Sequence, residues 1–241
     1  MTNNRASRLV EPLSAKTSGA EIDIGLRRFL LSVYNYMGWG LALTGLVAYG
    51  AAESGLYASL VKTPVLFWVV VLAPLALVFL LSFRVERMSL AAAQTAFWAY
   101  AGLVGLSLAG IFLVYTGTSI ARTFFITATT FLAMSLYGYT TRTDLSRFGS
   151  FLLMGLIGVV IAGLVNMFLT SSALQLAISV IGVIVFVGLT AYDTQRIKEI
   201  YLESDSTVIV GKKAIMGALA LYLDFLNLFT LLLQLSGDRR Q

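Results

Sequence analysis

Two aspartates carry the chemistry that this sequence can offer. Asp224 lies in the run Gly217-Ala-Leu-Ala-Leu-Tyr-Leu-Asp224-Phe-Leu-Asn227-Leu-Phe229, roughly 15 Å from either end of a continuous apolar stretch if that stretch is helical. Asp193 closes another apolar run, in Leu189-Thr-Ala-Tyr-Asp193-Thr-Gln-Arg196. An ionisable group inside an apolar helix is expensive, and it marks an ion path or a proton relay unless it is protonated and simply bonds across helices. Asp193 taken alone fits a headgroup position equally well. The two acids sit on consecutive runs joined by a short loop, so they can meet. Depth counting places Asp224 deeper, and the meeting requires a deep sixth helix, a shifted seventh, or a funnel open to the inner side.

Two carboxylates side by side in a medium of low polarity cannot both ionise cheaply. They share a proton and titrate as one unit, here expected near neutral pH. The chain has no His and no Cys, so imidazole switches, Ser-His-Asp triads, thiolate metal sites and disulfides are all excluded, and the pair is the most credible pH sensor. Calcium takes roughly six to eight oxygen ligands. Asp193 and Asp224 with carbonyls and water would give a weak calcium site, suited to passage rather than storage. Asn227, one turn beyond Asp224 on the same face, and Tyr192 beside Asp193 are supporting candidates. No other cofactor is expected.

The elements that must position these groups follow from composition. Hydrophobic residues make up 58% and charged residues 12% of the 241 positions, about half the charge fraction of a soluble domain. Apolar runs of spanning length, about 20 residues, fall near 29–52, 64–83, 89–115, 120–141, 148–169, 172–192 and 213–235. They do not alternate in polarity as barrel strands would, and helices satisfy their own backbone in lipid. The expected fold is an all-α integral membrane bundle of seven helices over 26–236. A flexible polar tail of residues 1–25 precedes it, and a short tail, 237–241, follows. The uncharged stretch from Phe148 to Tyr192 would be over 60 Å long as one helix, so it turns back near Thr170, Ser171 and Ser172. Pro74 should bend its helix and leave a carbonyl for a neighbour to satisfy. Small residues (Gly38 and Gly45, Gly105 and Ala109, Gly158 and Ala162, Gly182 and Gly188) allow close helix contact. Thr123, Thr127 and Thr130 either line a water path or bond between helices.

Charge sets the orientation. The net charge of +5 reads as membrane topology rather than nucleic-acid binding. Thirteen of the seventeen Lys and Arg fall in the tail and in alternate loops, which puts the N-terminus in the cytoplasm. A seventh span would put the C-terminus outside, and a re-entrant hairpin would put it inside. The acids Glu199, Glu203 and Asp205 between the last two runs read as an ordinary solvated loop, or as a cation attractor.

Thr190-Ala-Tyr-Asp193-Thr-Gln-Arg-Ile197 and Gly217–Phe229 resemble the two late signatures of the Bax inhibitor family of membrane proteins. Ser135-Leu-Tyr-Gly-Tyr-Thr-Thr-Arg-Thr-Asp144-Leu-Ser, Met154-Gly-Leu-Ile-Gly158 and Asn166-Met-Phe-Leu resemble its bacterial branch. The resemblance runs from about residue 25 to the end. It implies a seven-helix fold whose last helix is wrapped by the other six, in a bacterial inner membrane. It also implies a pH-sensitive pair of aspartates at a calcium leak pathway, matched by Asp193 and Asp224. A basic residue of the second helix region would lock that pair. Arg84 is the first candidate, being nearer the apolar run, and Arg87 the second. Two other classes compete. An intramembrane aspartyl protease needs its second aspartate after Gly-x-Gly, whereas Asp224 follows Leu221-Tyr-Leu, so no enzyme is expected. A regulator that binds a membrane-bound quality-control protease is the alternative that the family implies, with the tail as its handle.

Overall fold

The computed structural model describes residues 11–240, with side-chain surroundings from Ile24 onward. The chain is helical almost throughout: α1 (Glu11–Glu53), α2 (Leu56–Val61), α3 (Pro64–Arg84), a short 3₁₀ turn (Val85–Arg87), α4 (Leu90–Leu108), α5 (Gly110–Val114), α6 (Gly117–Thr140), α7 (Ser146–Leu169), α8 (Ser172–Glu199) and α9 (Thr207–Ser236). Among the described residues, six helices are long and apolar enough to cross a membrane: α3 with its turn, α4 with α5, α6, α7, α8 and α9. The first apolar run, 29–52, forms the C-terminal part of α1.

Several boundaries differ from the apolar runs. Residues 1–10 of the expected tail lie outside the described residues, and from Glu11 the backbone is already helical. Pro12 stands in its first turn, where the missing N–H costs nothing. The run 89–115 is divided at Ala109, whose N–H reaches Leu106 in an i→i+3 bond. Both α8 and α9 outrun their apolar cores, by seven residues at the end of α8 and by six at the start of α9. Hydropathy ends where lipid ends, but a helix continues while one face stays packed, as Thr194 and Ile197 do.

The turn between α7 and α8 falls where the polar cluster put it. Thr170 takes a left-handed φ of 46°. Asn166 Oδ1 accepts from the Ser171 N–H at 2.9 Å, and the Ser171 hydroxyl caps α8 at Leu174 N. Pro74 also behaves as its chemistry requires. It stays inside α3, and the Val70 carbonyl that it cannot serve lies 2.9 Å from the Ser107 hydroxyl of α4. The same hydroxyl lies 2.9 Å from Leu103 O, so one proton is shared between two acceptors.

α9 is the most buried of the six spans, and α7 the least. α9 packs chiefly against α1, α4, α6 and α8, while α3 packs chiefly on α4 and α7 on α8. The contact of α9 with α1 and α4 is tied by polar groups in an aromatic setting. The Tyr222 hydroxyl meets Thr44 Oγ1 at 2.6 Å, and Thr44 Oγ1 lies 2.9 Å from Ala101 O. Tyr222 stacks edge-on to Phe97 and Tyr100. Of the small residues, Gly105, Gly182 and Gly188 sit against neighbouring helices, whereas Gly38, Gly45 and Gly158 face open space. Gly138, not singled out from sequence, makes a very close approach: a Cβ there would collide with the Ala191 carbonyl.

Thr123 and Thr127 are fully buried, with Thr127 bonded back to Thr123 O, while Thr130 is not buried with them and bonds to Ile126 O. The C-terminal segment is stitched to the far end of the bundle. Thr116 N–H donates to Asp238 O, Arg240 N–H to Val114 O, and Asp238 N–H to Ser119 Oγ. Arg122 pairs with Asp238 at 3.2 Å. α9 is thus one continuous helix of 30 residues, about 45 Å long, and not a re-entrant hairpin.

Candidate functional site

Asp193 and Asp224 meet. Both side chains line one cavity, close enough for each to act on the charge of the other. The depth mismatch expected from sequence is reduced by the helix extensions. Asp193 is not the end of its helix but lies six residues before the end of α8. The first turns of α9 overhang that end: Lys213 Nζ donates to Ile200 O, and a Cβ on Gly217 would touch Ile197. Asp193 lies four residues further into α8 and Asp224 seven further into α9, an offset of only about 4–5 Å along the helix axes.

Burial of the pair is unequal. Asp224 is 4% exposed and its Oδ2 has no hydrogen-bond partner, whereas Asp193 is partly exposed. A carboxylate only accepts hydrogen bonds, so two facing carboxyls can bond only when one carries a proton. The pair opens into a cavity of about 440 Å³ between α7, α8 and α9, and Tyr192, Arg196, Asn227, Ser146 and Ser150 share its lining. Two supporting candidates from sequence, Tyr192 and Asn227, are therefore at the site. Tyr192 packs over Gly149, where a Cβ would lie 2.7 Å from its ring. Asn227 lines the cavity while its amide N–H bonds back to Leu223 O at 2.8 Å.

Arg84 and Arg87 are not brought to the pair. Both are exposed, and neither lines the cavity. α3 leads to α4 rather than to the seam where the acids sit. The guanidinium at the cavity is Arg196, one turn after Asp193 on the same helix face. From sequence Arg196 counts only as a topology charge. Its i+3 spacing from Asp193 is the signal that could have found it, as is the i,i+4 spacing of Ser146 and Ser150. A third missed set begins at Thr194, next to Asp193 in the chain: the Tyr34 hydroxyl bonds to Ser135 Oγ, which meets Thr194 Oγ1 at 3.0 Å.

The loop between the acids is not simply solvated. Asp205 pairs with Lys213 at 2.5 Å with both side chains largely buried, and Lys213 also holds Ile200 O, whereas Glu203 is exposed. Lys198 caps the end of α6 through Tyr139 O and lies over the Tyr139 ring. Lys212 reaches Glu86 O. The end of α3, the end of α6 and the basic residues of α8 and α9 therefore share one end of the bundle. Among the described residues, no three acidic side chains gather into a metal-binding cluster. The donors for a cation at this site are the two carboxyls, the Asn227 amide oxygen and the serine hydroxyls.

The family model described as Inhibitor of apoptosis-promoting Bax1 matches residues 26–241, the whole helical bundle beyond the first turns of α1. The chain belongs to the Bax inhibitor family. It is 49% identical over 219 residues to the inner membrane protein YbhL of Escherichia coli, covering 90% of this chain and 94% of the relative. It is 47% identical over 228 residues to the uncharacterized protein RP147 of Rickettsia prowazekii, covering 95% and 97%. The uncharacterized membrane protein SpyM3_0260 of Streptococcus pyogenes is 37% identical over 218 residues, covering 89% and 94%. The protein is thus a bacterial-type membrane protein of this family, and its apolar helices are spans.

Proposed function

We propose that this protein is a pH-sensitive calcium leak path of a bacterial inner membrane, gated by the pair Asp193 and Asp224, and not an enzyme. The observation that carries the reading is the pair itself: two carboxyls in the lining of one cavity between three helices, one of them with a buried unpartnered oxygen. A shared proton holds the carboxyls together, and its loss makes them repel. Calcium is the cargo, held loosely by the carboxyls and neighbouring oxygens as it passes. The part of α1 over 29–52 supplies a seventh span, α9 serves as the inner helix, and the basic end of the bundle faces the cytoplasm. Arg196 is the basic partner nearest the pair, while Arg84 and Arg87 take part only if α3 swings towards α8. The test is calcium flux in liposomes holding only the purified protein, from pH 5 to 8. A pH-dependent flux that disappears in the double Asn variant is expected. A flux absent at every pH, or one that keeps its pH profile in both single Asn variants, would sink the reading.

A further inference from the structure

The cavity at the aspartates has a counterpart. A second cavity, of about 510 Å³, opens between the same three helices at the opposite end of the bundle, around Asn166, Gln175, Ser179 and Gln234, with Arg239 at its rim. Its groups form one hydrogen-bonded set: Asn166 Nδ2 donates to Gln175 Oε1 at 3.0 Å, and Gln234 Oε1 accepts from Gln175 Nε2 at 2.5 Å and from the Ser179 hydroxyl at 3.3 Å. Between the two chambers lies an apolar layer formed by Val185, Leu228 and Leu231.

The thickness of that layer can be read from residues that line each chamber. On α9 the step from Asn227 to Gln234 is seven residues, and on α8 the step from Phe186 to Ser179 is also seven, about 10 Å in each case. Gly182 is a point of close approach within it. A Cβ there would lie 2.7 Å from Leu231 Cδ1 and 3.5 Å from Val159 Cγ1, so the leucine of α9 sits in the space left by a missing side chain of α8, against a valine of α7.

We propose that the ion route runs along the seam of α7, α8 and α9, from the aspartate chamber to the amide chamber, and that Leu231 seated on Gly182 is its hydrophobic gate. An apolar constriction of this thickness excludes water and ions until its walls part. Asp224 and Leu231 are seven residues apart on one helix, so separation of α8 from α9 at the carboxyls also lifts Leu231 from Gly182. Arg239 at the outer rim disfavours cation entry and keeps the resting leak small. This inference rests on the leak reading above, but its test can fail separately.

The chain lacks cysteine, so single cysteines report cleanly. Leu231→Ala should raise calcium flux about tenfold at the pH where the wild type is closed and flatten its pH dependence, while the volume-conserving Leu231→Met should stay closed. In the same background, the thiol of an Asn227→Cys variant should become reactive to silver ions added at the amide-chamber side only when Leu231 is replaced by Ala. Wild-type pH-dependent flux with an unchanged Leu231→Ala variant would overturn the route and leave the carboxylate gate standing. An Asn227→Cys thiol that stays protected alongside Leu231→Ala would also overturn it. So would a Leu226→Cys thiol, on the groove between α1 and α6, that reacts in its place. The silver readout needs no calcium flux, so loss of the calcium reading alone would leave the route intact.

Discussion

A carboxyl oxygen that is buried and unpartnered is stable only if its neighbour adjusts with it, and that ties Asp224 to Asp193 more firmly than proximity alone. The charge of each depends on the proton of the other, so each single replacement by Asn should remove most of the pH dependence of flux. The double replacement should add little more, as read by flux across pH 5 to 8. Arg196 shares their chamber and favours a charged partner, so Arg196→Gln should keep the shared proton on at higher pH and lower calcium leak at neutral pH several-fold, roughly the effect of 1 kcal/mol on a gate. Arg84→Gln and Arg87→Gln should each do less, because both side chains lie exposed on a helix that packs away from the pair. Equal effects from all three arginines would show that bulk charge at that end matters and not the geometry of the chamber. Asp193 and Asp224 were legible in the sequence because lipid makes an acid conspicuous. Arg196 was not, because a basic residue at a helix end is also what topology alone demands.

Helix contacts obey a stricter rule than helix existence. All the apolar runs became helices, since lipid leaves the backbone no other choice, but the ends escape hydropathy wherever a helix outruns the apolar layer, as at Asp193. The turn at Thr170 was legible because its polar cluster interrupts an otherwise uncharged stretch. The glycine contacts were only half legible: Gly105 and Gly182 meet neighbours, Gly158 faces open space, and spacing alone does not say which face is inside. Gly138→Ala should therefore be costly, since its methyl would collide with the Ala191 carbonyl. A loss of about 1–3 kcal/mol is expected from forcing α6 off α8, measured as a lower thermal midpoint in detergent, with Gly158→Ala near neutral. Ser107→Ala should cost about 1–2 kcal/mol by stranding the Val70 carbonyl below Pro74. The double variant with Pro74→Ala should recover most of that loss, since the carbonyl then regains its own N–H.

At the scale of the molecule, the basic helix ends and the stitched C-terminal segment lie at opposite ends of one bundle. Ser54→Cys and Ser204→Cys, both at exposed positions, should therefore label from opposite faces of the membrane, with position 204 reached from the cytoplasm. Labelling of both from the same face would break the topology. The weaker outer ties predict a graded response to salt. The exposed Arg122–Asp238 pair should contribute little and fade with ionic strength. The largely buried Lys213–Asp205 pair should not, and Asp205→Asn should loosen the start of α9 and be seen as faster amide exchange there.

The last helix of the chain is also its most buried span, and this reverses the usual order of assembly. Segments leave the ribosome from the N-terminus onward, so α1, α4, α6 and α8 are made before their shared partner exists. Until α9 arrives, Thr44 and Asp193 lack the helix that brings them Tyr222 and Asp224. An incomplete chain therefore carries its own mark of being unfinished. The arrival of α9, with the segment behind it that bonds to Val114 and Thr116, is what erases it.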